Sequence, residues 1–234
     1  MDMTRFTRRD VLRSGAALAM APAVASISAA GQTELPAQWP VIGVSTLGFG
    51  EYTNRQLAQE FAAESVRTIQ LFLSQSDSQY WVYSGRSDVS AITPDRAREI
   101  ANEYRSVGID IHSIGVYTNL IHPDPAERAA NLDYFEAMMH IGAEMNVHTF
   151  ITEAGHHGTA DHVPYHFQTD TWKHMVETGR ELAKRAEACN ATVLVEPSFL
   201  SFFASAKRTR VFLEEVGSPR MRALLDPANI LELN

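Results

Sequence analysis

Ala191-Thr192-Val193-Leu194-Val195-Glu196-Pro197 and, further on, Ala223-Leu224-Leu225-Asp226-Pro227-Ala228-Asn229 are two apolar runs that each end on a carboxylate followed by proline. Apolar runs with little alternation suit strands of a parallel sheet covered on both faces, and a proline cannot donate to the ladder, so each strand stops at its acid. The segment between them, Ala204 to Val216, has the length and pattern of the helix that a parallel crossover requires. Glu196 and Asp226 are therefore expected side by side at the C-terminal edge of one sheet. Two adjacent hard oxygen donors at that edge suit a divalent cation. The plainer alternative is that each acid only caps the turn that follows it.

Upstream, the same beat repeats. Strand-like runs at Val41–Thr46, Val66–Leu73, Ile109–Ile114 and Val147–Thr152 alternate with helical patterns. Helix starts are signalled at Thr53 or Asn54, at Thr93-Pro94-Asp95 and at Pro125 or Ala126, with a glycine stop at Gly108. Trp172–Ala188 reads as the helix before the first acid-tipped strand. Alternating β and α units with a period of roughly thirty to forty residues imply a parallel α/β fold, either an open doubly wound sheet or most of an eight-stranded barrel. No G-x-G-x-x-G follows the first strand, and no P-loop, G-x-S-x-G or H-E-x-x-H is present.

Two long loops interrupt this rhythm. Ser74–Ile92 carries Tyr80, Trp81 and Tyr83 and reads either as a lid or pocket wall or as a rim loop. Glu153–Thr169 carries His156, His157, His162 and His166 in a spacing that matches no closed zinc pattern. A third loop, Gly115–Pro125, holds Asn119, His122 and Asp124.

The 234 residues are 45% hydrophobic and 21% charged, enough for one large core, with a net charge of −8 that argues against a nucleic-acid footprint. The single cysteine, Cys189, excludes a disulfide framework and reads as a buried, inert thiol. At the N-terminus, Thr7-Arg8-Arg9-Asp10-Val11-Leu12-Arg13 precedes an Ala-rich apolar stretch and the small residues Ser28-Ala29-Ala30. This resembles a twin-arginine signal peptide over residues 1–30, too short and weakly apolar to span a membrane. It implies a periplasmic protein without a stable membrane anchor, a linker over 31–40 and one domain over 41–234.

The body of the chain resembles the sugar phosphate isomerase/epimerase superfamily of xylose isomerase-like TIM barrels, which also holds tagatose-type ketose epimerases and type IV endonucleases. The resemblance is carried by Val193–Pro197, by Leu224–Asn229 and by the loop Gly115-Val116-Tyr117-Thr118-Asn119-Leu120-Ile121-His122-Pro123 with its helix. It implies a (β/α)8 TIM barrel present as about six βα units, with strands seven and eight missing and the sequence shortened at its C-terminus. It also implies one divalent metal, Mn, Mg, Co or Zn, held in the family by Glu, Asp, His and Glu at the ends of strands five to eight. Glu196 and Asp226 match the first two, and the other two have no counterpart. A homo-oligomer that completes the site is an alternative to a longer active form.

On this resemblance the chemistry is isomerisation or epimerisation of a sugar or sugar phosphate by proton transfer next to a carbonyl, through a metal-stabilised enediolate. Glu196 is assigned as catalytic acid/base and metal ligand, Asp226 as metal ligand, and Asn229, His112 and His122 as substrate contacts. In the epimerase and endonuclease branches a histidine often stands where Asn229 stands. A metal-dependent phosphoesterase or a non-catalytic sugar-binding barrel are the other readings.

Overall fold

A computed structural model describes residues 41–156, 167–199 and 201–230. The expected signal peptide, the linker and His157, His162 and His166 lie outside these residues. Six strands, β1 (Val44–Ser45), β2 (Thr68–Leu71), β3 (Asp110–Gly115), β4 (Thr149–Thr152), β5 (Thr192–Val195) and β6 (Met221–Ala223), form one sheet. All neighbours pair in parallel, in sequential order from β1 to β6. Sequential order decides between the two architectures left open by the sequence. A doubly wound sheet reverses direction at a switch point, whereas a barrel adds every new strand on the same side. The six strands and their helices are those of a partial TIM barrel.

Helices α1 (Asn54–Ala63), α2 (Pro94–Arg105), α3 (Pro125–Glu144), α4 (Thr169–Ala188) and α5 (Ala206–Val216) each connect consecutive strands. Their starts follow from side-chain caps. Thr53 and Gln56 form a reciprocal capping box, and Thr93, Asp124 and Ser205 each accept a first-turn backbone N–H. Their ends repeat one device. Ser65, Gly108, Asn146 and Asn190 adopt left-handed backbone after α1 to α4. The next residue then donates back five positions, as in Val66 to Phe61, Ile109 to Tyr104, Val147 to Gly142 and Ala191 to Ala186. Four helices thus hand over to four strands through the same turn.

The core lies between sheet and helices. Ile69, Ile111, Phe150 and Val193 point outward from their strands into a continuous apolar layer with Phe61, Phe135 and Phe212 of the helices. Gly142 of α3 admits the Phe150 ring, because a Cβ there would lie 2.5 Å from Phe150 Cζ. The opposite sheet face is the barrel interior. β6 ends at Ala223, earlier than its apolar run predicts: Leu224 N–H still reaches Val195 O at 3.0 Å, but Leu225 is 73% exposed. Arg222 and Ala223 are exposed too, since β6 is paired on one side only among the described residues. No described helix is long and apolar enough to cross a membrane.

Candidate active site at the strand ends

Register places the site. Gly115 pairs with Ile151 and Ile151 with Leu194, all facing inward. Continuing two residues along each chain brings Tyr117, Glu153 and Glu196 to one level at the C-terminal rim, on the interior face. The ladder persists that far, with Val116 N–H donating to Ile151 O and Glu196 N–H to Thr152 O, both at 2.8 Å.

Glu196 is 8% exposed, and both of its carboxylate oxygens are engaged. The Tyr117 hydroxyl donates a short hydrogen bond to Oε2, and Asn229 Nδ2 donates to Oε1 at 2.8 Å. Burial pushes the Glu196 carboxyl above the usual glutamate range. The hydrogen bonds from Tyr117 and Asn229 pull it back, while the Glu153 and Asp226 carboxylates raise it further. Burial, with Glu196 beside it, holds the Tyr117 phenol far above its ordinary range, so it stays a donor. Tyr83 makes a parallel pair, donating to Glu153 Oε2 at 2.7 Å.

Aromatic rings wall this level. Phe72, just past β2, fills the room left by Gly115, where a Cβ would meet its ring at 2.5 Å. Tyr117 stacks on Phe72 with centroids 5.5 Å apart, and Trp81 meets both rings near edge-on. Trp81 and Tyr83 come from the loop after β2, which packs here as a pocket wall. Arg86 pins that loop to the start of α3 through Glu127 Oε2 at 2.9 Å and Asn131 Oδ1 at 2.6 Å. One donor, Trp81 Nε1, is buried and lacks a hydrogen-bond partner among the described residues. Gln70 on β2 turns its side-chain amide toward the Tyr117 phenol oxygen. An orphan buried donor in this wall suits a ligand that brings an oxygen acceptor.

Of the residues singled out from sequence, Glu196, Asp226 and Asn229 meet at the rim. Asp226 stands beyond the strand end, in a turn where its Oδ1 accepts from Ala228 N at 2.9 Å and Asn229 N at 3.2 Å. It acts on Glu196 through charge. His112 is exposed on β3 at the register shift, with Nδ1 3.2 Å from its neighbour Ser113 Oγ. His122 belongs to the turn into α3, where its Nδ1 accepts from Asp124 N at 3.2 Å. None of the contacts that place these two histidines involves Glu196. Tyr117, Glu153 and Gln70 were not predicted. Glu153 carries the signal that marked Glu196, an acid directly after an apolar strand. Tyr117 carries none.

Asp226 and Glu196 offer the hard oxygen donors that a divalent cation takes, and their mutual repulsion is what such an ion relieves. Among the described residues no third His, Cys, Asp or Glu ligand joins them within reach of one ion.

The backbone is similar to that of D-psicose 3-epimerase from Clostridium cellulolyticum H10, solved with D-tagatose. The identity is 15% and the TM-score 0.59, over 78% of this chain and 62% of that one. It is also similar to the probable 3-DHS dehydratase of petrobactin synthesis from Bacillus anthracis, at 17% identity and a TM-score of 0.59, over 77% and 61% of the two chains. A xylose isomerase-like TIM barrel protein from Mycobacterium smegmatis, solved in complex with magnesium, is similar at 14% identity and a TM-score of 0.60, over 81% and 65%. The chain thus spans less than two thirds of each of these structures, and at such identities the likeness is one of fold. No curated protein matches in sequence. Residues 60–234 match the family model described as xylose isomerase-like TIM barrel, and the chain belongs to that family.

Proposed function

We propose that this protein is an isomerase or epimerase of a sugar or sugar phosphate, with Glu196 as the group that moves the proton. The observation that supports it is Glu196 itself: a buried carboxylate, raised in pKa, fixed at both oxygens and aimed into a polar, aromatic-walled mouth. Removing a proton from carbon next to a carbonyl needs a base whose pKa approaches the working pH and whose position is fixed. Burial and the neighbouring carboxylates raise its basicity, while Tyr117 and Asn229 hold the orientation.

A Mn, Mg, Co or Zn ion held by Glu196 and Asp226 would supply the positive charge that stabilises the oxyanion formed when the proton leaves. The remaining tasks fall to the chain. The Phe72, Trp81 and Tyr117 rings exclude water and offer a flat apolar wall to the C–H face of a sugar. The unpartnered donor Trp81 Nε1 suits one of its hydroxyl oxygens. Asn229 is placed to exchange its bond to Glu196 for one to a substrate hydroxyl. His112 and His122 enter this reading as outer contacts only. Residues 1–30 as a twin-arginine signal, with a periplasmic location, belong to the same proposal and rest on sequence.

The test is exchange in heavy water. The chain, loaded with Mn2+ and incubated with a panel of ketoses and their phosphates, is expected to introduce deuterium next to the carbonyl, read by NMR. Glu196→Gln abolishes the exchange; undiminished exchange in that variant would reject the assignment. A second reading, sugar binding without chemistry, draws on the engagement of both Glu196 oxygens. It predicts thermal stabilisation by the sugar with no exchange in either protein.

A further inference from the structure

A second cluster of ligating side chains lies on the outer helical layer, away from the strand-end site. Glu136 and His140 are four residues apart on α3 and so share one face of it. Cys189 follows α4 and is half-buried rather than fully so, the difference from the sequence reading. Its Sγ lies 3.9 Å from His140 Nε2, and one ligand atom from each of Glu136, His140 and Cys189 lies within 4.8 Å of the others. We propose that Glu136, His140 and Cys189 form a metal site for a borderline divalent cation such as Zn2+, distinct from the one implied at Glu196 and Asp226.

Three observations carry this. The donor set is one thiol, one imidazole and one carboxylate, which suits Zn2+ or Co2+ and not the hard cations that prefer oxygen alone. The spacing fits. Zinc bonds of about 2.3 Å to sulfur and about 2.0 Å to nitrogen at tetrahedral angles put those atoms about 3.5 Å apart, a few tenths of an ångström closer than they stand here. The carboxylate is also held from behind: Arg185 Nη1 binds Glu136 Oε2 at 2.9 Å and Asp133 Oδ1 at 2.7 Å. A second-layer partner of this kind orients a ligand and leaves the other carboxylate oxygen for the ion. Three protein ligands on a partly exposed surface leave a fourth position for water. A cation that binds through Cys189 Sγ releases the thiol proton, so its affinity is expected to rise with pH.

Because Cys189 is the only cysteine, its sulfur reports this site alone. The full chain, stripped of metal and kept in a non-thiol reductant, is titrated with Co2+. A thiolate-to-cobalt charge-transfer band is expected, saturating at one equivalent. It persists in the Glu196→Gln/Asp226→Asn double variant, which separates this site from the proposed catalytic one. Cys189→Ser, conservative in size, loses the band while its circular dichroism spectrum and melting profile stay unchanged. His140→Ala and Glu136→Gln each weaken cobalt binding by about tenfold or more. Cobalt bound without the sulfur band, as a histidine-rich loop would bind it, overturns the proposal. So does a band that His140→Ala and Glu136→Gln leave unmoved.

Discussion

Tyr117→Phe removes one hydroxyl and little else. The ring stays in its stack on Phe72, 5.5 Å between centroids and 27° between planes, and keeps its contact with Trp81. What is lost is the hydrogen bond to Glu196 Oε2, which favours the charged carboxylate. A hydrogen bond to a charged group is worth about 1.5–3 kcal/mol, and about 1.4 kcal/mol of preference for one protonation state is a tenfold change in proton affinity. Asn229 still holds the other oxygen at 2.8 Å, so the lower end of that range applies. Glu196 in the variant should therefore bind its proton about tenfold more tightly. Carbon-13 NMR of side-chain carboxyls in glutamate-labelled protein reads this directly and needs no substrate, with Glu196→Gln identifying the resonance. The variant's titration midpoint is expected at higher pH than the wild type's. A midpoint that stays put or falls would refute the view that Tyr117 stabilises the ionised form. Stability follows with a defined sign. The folded pKa of Glu196 lies above its unfolded value, so its contribution is present below the unfolded pKa and is lost as pH rises through the folded one. Tyr117→Phe deepens that loss, so its destabilisation appears at neutral pH and fades in acid.

The same linkage makes Glu196→Gln at least as stable as the parent at neutral pH and flattens the change in urea midpoint between acid and neutral solution. A clear loss of neutral stability would mean that the charged form is favoured by the fold. Gly142→Ala sets a Cβ 2.5 Å from Phe150 Cζ and 2.8 Å from Val147 O, contacts that α3 relieves only by moving off the sheet. The expected cost is about 1–3 kcal/mol in urea unfolding; an unchanged midpoint would show that α3 is not pressed against β4.

The fold was legible because its signals are local and repeated. The strand runs of β2 to β5, the caps at Thr53 and Thr93, and the stop at Gly108 follow from residue type and neighbours, while β1 is shorter than its run, Val44–Ser45 only, with Val41 and Ile42 exposed. What sequence could not supply is the far side of a strand. The run Ala223-Leu224-Leu225 reads as buried, yet β6 has no described neighbour beyond it, so pairing ends at Leu224 and Asp226 moves out into a turn. The site was half legible for a related reason. In the loop after β3 the polar residues drew attention, but they are spent locally: Asp124 caps α3, His122 accepts from Asp124 N, and Asn119 exchanges bonds with the His156 backbone. Short polar side chains near a helix start find backbone partners first, which is why they favour such places. Tyr117, between Val116 and Thr118 in that loop, takes no role of its own from the sequence and reaches the rim. What marks it is parity: in a sequentially ordered parallel sheet the pairings Gly115 with Ile151 and Ile151 with Leu194 fix the inward face on three strands at once. Two residues further on, that face carries Tyr117, Glu153 and Glu196. Once one rim residue is known, register names its neighbours, and chemical type then decides which of them act.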